Sequence, residues 1–61
     1  MYAIIDSNKK VVKAFVGDIE SIANELEFNN EEAIQITVDN SPANSGDFYD
    51  GSKFVKELHN V

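Results

Sequence analysis

Apolar residues recur with two different periods along this chain, and the change of period marks its elements. In residues 18–28, Asp-Ile-Glu-Ser-Ile-Ala-Asn-Glu-Leu-Glu-Phe, Ile19, Ile22, Ala23 and Leu26 fall at i, i+3, i+4 and i+7. That spacing lines one face of an α-helix. Asp18 is placed to cap it, because its carboxylate can accept from a free N–H of the first turn. Asp18 and Glu20 also sit where the helix dipole favours negative charge. Phe28 closes the helix, and Asn29-Asn30 suit a left-handed C-terminal turn.

Elsewhere the period is two. Residues 2–6 read as a strand, Ser7-Asn8-Lys9 as a turn, and residues 10–16 as a second strand rich in β-branched side chains. The pair forms a hairpin. In a regular second strand Val12, Ala14 and Val16 share one face and Val11, Lys13 and Phe15 the other, so both faces are largely apolar. Gly17 ends it. Residues 33–38 alternate cleanly, with Ile34, Ile36 and Val38 inward and Gln35 and Thr37 outward. Residues 39–47 read as loop. As a calcium loop they fail: with Gly46 sixth, Ala43 falls on a ligand position and Ser52 stands where a glutamate is needed. Residues 48–56 contain Asp50-Gly51, a pair favoured in tight hairpin turns with positive φ. Leu58 reads as a last anchor and His59–Val61 as a frayed end.

These elements predict a single α+β domain over residues 1–61, β-β-α-β followed by a short β-hairpin. One helix packs on one face of a small, mostly antiparallel sheet. The residues from Gly17 to Glu32 are enough for a right-handed crossover, which allows the strand at 33–38 to run parallel to the second strand. It can pair with either strand of the first hairpin.

Size sharpens the picture. A domain of 61 residues buries only about 60% of its unfolded surface. Such small domains often lean on a disulfide, a metal or a partner. The chain has no cysteine, which removes disulfides and thiolate metal sites, and one histidine, His59, which makes no cluster. Packing or association is left. The net charge is −6 and unevenly spread: +2 over residues 1–17, −9 over 18–50 and +1 over 51–61. A phosphate-backbone binder needs clustered Lys and Arg, so no nucleic-acid partner is expected. The acidic middle reads as a solvated face that keeps the chain soluble, or as a dock for a basic partner. No apolar run is long enough to span a membrane, and Met-Tyr-Ala-Ile-Ile-Asp lacks the basic and apolar regions of a signal peptide, so a cytosolic start is expected.

No residues combine into a reaction centre. Asp47 and Asp50 are turn residues first. His59 lacks an orienting partner, and no serine has a histidine positioned to activate it. The three glycines make no phosphate loop. The expectation is a non-enzyme with no cofactor and no metal. The remaining signal is aromatic: Tyr2, Phe15, Phe28, Phe48, Tyr49 and Phe54. Most should be core. One helix cannot cover them all, so Tyr2, Phe15 and Tyr49 are the candidates for a protein interface, with Asp50 and Gly51 forming the hairpin turn.

The two ends carry a resemblance. Met1-Tyr2-Ala3-Ile4-Ile5-Asp6, followed by polar residues and Val11-Val12, resembles the opening of short phage and prophage tail-region proteins. The stretch Gly46-Asp47-Phe48-Tyr49-Asp50-Gly51-Ser52-Lys53-Phe54 is similar to their Gly-x-x-Tyr-Asp-Gly-x-x-Phe ending. Together the two cover about a third of the chain, and residues 55–61 continue past the motif. The resemblance implies a tail-fibre or baseplate structural or accessory protein. It would act by protein contacts, with itself as a homo-oligomer or with tail proteins, in the host cytoplasm or the virion. It implies no catalytic residues. The alternative reading is a small acidic phage-encoded inhibitor or decoy occupying a basic site on a host protein.

Overall fold

The computed structural model describes residues 1–56; Leu58 and His59–Val61 lie outside the described residues. The chain is an α+β domain. Its elements are β1 (Tyr2–Ile5), β2 (Val11–Phe15), a 3-10 turn (Ile19–Ile22) running into α1 (Ala23–Phe28), β3 (Glu32–Gln35), β4 (Phe48–Tyr49) and β5 (Phe54–Val55). A three-stranded sheet has the order β2-β1-β3, and β4-β5 is a separate hairpin. β1 pairs antiparallel with both neighbours. β2 and β3 therefore run in the same direction but do not touch, because β1 lies between them.

The β1–β2 connection is fixed by Asp6. Its Oδ1 accepts from the N–H groups of Asn8 at 2.9 Å and Lys10 at 3.0 Å. The Lys9 N–H donates to the Asp6 carbonyl, and Lys9 takes a φ of 68°. This is a tight turn followed by one left-handed residue, a common hairpin connection. β2 is not regular. Ile4 pairs with Lys13, yet Ile5 pairs with Val11. The extra residue is a β-bulge at Val12. It corrects the facing expected of an uninterrupted strand: Val11 shares the face of Ala3, Ile5 and Ala14, not that of Lys13 and Phe15.

The helix begins as predicted and then departs. Asp18 Oδ1 accepts from the Glu20 N–H at 3.2 Å, and the Ser21 N–H and hydroxyl both donate to the Asp18 carbonyl. The first turn is 3-10, with Ile19 and Ile22 eclipsed at three residues per turn. The α1 turns then start afresh, which buries Leu26 but rotates Ala23 and Phe28 into water. The C-terminus is a Schellman cap: Asn30 has φ 56°, its N–H donates to Glu27, and the Glu31 N–H donates to Leu26.

Core packing lies on both faces of β1. Ala3, Ile4 and Ile5 are completely buried. Alternation puts Ile4 on one face, where α1 packs beside β3 and Leu26 is buried. Ala3, Ile5 and Val11 form the other, with Phe54 packed among them and Ile34, Ile36, Ala43 and Tyr49 around it. The second sheet face is thus filled by the chain's own loop and hairpin.

The strand expected over 33–38 stops at Gln35, and Val38 is 93% exposed. The reason is Asn40, a buried loop residue. Its Nδ2 donates to the Gln35 carbonyl at 2.9 Å, its Oδ1 accepts from the Thr37 N–H at 2.8 Å, and its own N–H reaches Thr37 Oγ1 at 3.3 Å. The side chain replaces the next strand and turns the backbone away before Val38. Asn40→Ala leaves a strand carbonyl and an amide unpaired. It should destabilise by about 1–3 kcal/mol, whereas Asn44→Ala on the exposed loop surface should stay within about 0.5 kcal/mol of wild type. Denaturant melts compare them, and equal midpoints would mean that the clamp contributes nothing.

Candidate interaction surface

Each candidate site residue has a definite place. Tyr2 and Phe15 are cross-strand partners on the Ile4 face, both half-buried. Phe15 folds toward the strand end, so that a Cβ on Gly17 would stand 3.5 Å from its ring. Tyr49 lies on the opposite face, against the cluster that holds Phe54. The two rings are 5.0 Å apart between centroids and tilted by 43°, a favourable aromatic geometry. The Tyr49 hydroxyl donates to the Gly51 carbonyl at 3.1 Å. Tyr2 and Phe15 are therefore together, and Tyr49 is apart from them, occupied with the chain's own core.

Asp50 and Gly51 are in the β4–β5 turn, one residue out of the expected register. The reversing pair is Gly51-Ser52, flanked by Asp50 and Lys53, whose backbones join through the Asp50 N–H and Lys53 carbonyl. Gly51 carries φ 104° with nothing within 4 Å of a Cβ built on it. Asp50 Oδ1 accepts from the N–H groups of Ser52 at 2.8 Å and Lys53 at 2.9 Å. The aspartate thus supports the turn from its flank with its side chain. The hydrogen bond from Lys53, then that from Ser52, lowers the Asp50 carboxyl below its ordinary value of 3.8.

Apolar side chains left in water are not the aromatics singled out from the sequence. They are Met1, Val12, Val16, Phe28 and Val38. Val12 lies in β2 and Val16 directly follows it. Lys13 and Ala14 between them are also exposed. At Val11 the outer edge of β2 is taken by the loop before β4, since Val11 donates to Asp47 and Gly46 donates to Val11, and just ahead of β2 the Tyr49 N–H of β4 donates to the Lys9 carbonyl. Lys10 Nζ stands 5.9 Å above the Phe48 ring. Asn40 occupies the outer edge of β3 at Gln35. No sequence pattern marked Asn40, because an Asn in a turn-rich stretch reads as turn chemistry alone.

Among the described residues there is no pocket and no cluster of three His, Cys, Asp or Glu side chains. Compared with known proteins, the chain matches no family model, no curated protein and no solved structure.

Two outcomes follow for the hairpin. Gly51→Val places a β-branched residue at positive φ and should cost about 1–2 kcal/mol, read as a lower denaturation midpoint. A carboxyl held below its unfolded value favours the fold above that value and loses this contribution as pH falls through the folded one. The Ser52 and Lys53 amide resonances should therefore move together as pH drops below 3.8, and Asp50→Ala should abolish that movement. Unmoved amides in wild type would remove Asp50 from the turn.

Proposed function

We propose that this chain is a structural or accessory component of a phage or prophage tail or baseplate, acting through protein contacts and not through catalysis. The observation that carries the reading is the side of the molecule around β2. Val12 and Val16 are exposed, Tyr2 and Phe15 are half-buried on the Ile4 face of the same strand pair, and no acid lies between Ser7 and Gly17. A strand edge with exposed apolar side chains and a basic border suits contact with another protein. The resemblance at the two ends adds its own support, since Phe48–Phe54 form a hairpin in the fold. The partners are a second copy or tail proteins, in the host cytoplasm and in the virion.

Mass spectrometry of purified virions tests this. The chain should copurify with tail proteins and stay with tails separated from heads. Its absence from virions, together with salt-sensitive capture of a basic host protein, would replace this reading with the acidic inhibitor.

A further inference from the structure

We propose that the free edge of β2 pairs with β2 of a second copy, antiparallel about a two-fold axis through Ala14. This rests on the reading of the chain as a contact protein and names the surface and the occupant.

The argument begins with an inventory of sheet edges. Asn40 takes up the outward Gln35 carbonyl of β3, and residues 46–47 take up the outward groups of β2 at Val11. Two edges stay open among the described residues, β3 at Ala33 and β2 beyond Val11; Glu31 and Glu32 stand beside the first, whereas the second carries the exposed Val12 and Val16 and no acid, which favours it for pairing with a like edge. There the backbone direction is known. The Ile36 N–H donates to the Met1 carbonyl, so Met1 faces β3. Alternation along β1 turns Tyr2 and Ile4 toward β2, where their partners are Phe15 and Lys13. Phe15 and Lys13 therefore spend their backbone groups on β1, and Ala14 turns its N–H and C=O outward.

Symmetry then selects the register. Identical edges meet most simply about a two-fold axis. Centred on Ala14, the two Ala14 residues exchange N–H···O bonds. Lys13 lies opposite Phe15 of the second copy, where an ammonium can rest on a ring face. Val12 lies opposite Val16 of the second copy, covering two exposed aliphatics. Centring on Lys13 fails twice: its backbone groups face inward, and it would oppose a like charge. The fit also ends in the right place. One step beyond Val16 is Gly17, where the strand has stopped, and its opposite number Val11 is already bonded to residues 46–47. A small residue sits at the axis, and the result is a continuous six-stranded sheet built from two three-stranded ones.

Cysteine cross-linking tests the register, because the chain has no native cysteine. A bonded antiparallel pair sets Cα atoms about 5.5 Å apart, within disulfide range. Ala14→Cys should give a disulfide-linked dimer on mild oxidation, while Lys13→Cys should not. Sedimentation equilibrium of the wild type should show a dimer that tightens with added salt, since chains of net charge −6 repel. Ala14→Pro removes the outward N–H and should abolish the dimer. Should Ala14→Pro not fold, the cysteine pair still decides the matter. A monomer at every concentration, or Lys13→Cys linking as fast as Ala14→Cys, overturns the proposal. So does an Ala14 amide protected from exchange in dilute monomer, since that means the chain covers its own edge. All of this uses the purified chain, so it holds or fails whether or not the chain is found in virions.

Discussion

The burial of β1 is the constraint on which the rest of the structure depends. A strand bonded on both edges and covered on both faces must be apolar at successive positions, and Ala3-Ile4-Ile5 is. In so short a chain, two covering layers have to come from what remains. α1 provides one with Leu26. A loop and a two-stranded hairpin provide the other with Phe54 and Tyr49. Neither layer is large, so losing one large side chain from either removes much of it.

Charge is used differently from what composition suggests. The chain is strongly acidic, yet several acids are building backbone turns. Asp6, Asp18, Asp47 and Asp50 each accept from main-chain N–H groups within four residues of themselves. Asp47 does so while buried, holding the Asn44 N–H at 3.0 Å. The excess of Asp thus serves local geometry, while the glutamates on α1 face solvent. The ion pair between Lys9 and Glu32, 3.6 Å across exposed side chains, adds little by comparison.

The fold class was legible in the sequence because both periods are written in large apolar residues. The Asp18 cap, the left-handed Asn30 and the positive φ at Gly51 were legible too, since each residue type suits its backbone. What escaped was decided at a distance. Nothing in Val11-Val12-Lys13 announces a bulge, which answers to pairing with Ile4 and Ile5. The period of residues 33–38 promised a buried Val38, but a side chain from the next turn ended the strand first. The helical spacing of Ala23 gave no sign that a 3-10 start would turn it outward. The candidate surface was half legible: Tyr2 and Phe15 do meet, while Tyr49 was drawn off by a hairpin whose docking face the sequence does not specify.

The central strand also imposes an order on synthesis. β1 is made before the elements that cover it, and Phe54, which closes over Ala3 and Ile5, is made after β1, β2, α1 and β3. During translation the most water-averse segment of the chain therefore waits with one face open. Nor can an incomplete chain ending before the hairpin hide it. Pairings between such distant segments also close large loops, which slows folding relative to a helical bundle of the same length. A nascent copy of this protein thus keeps apolar surface open to water until the β4–β5 hairpin arrives, which exposes it to aggregation in that interval.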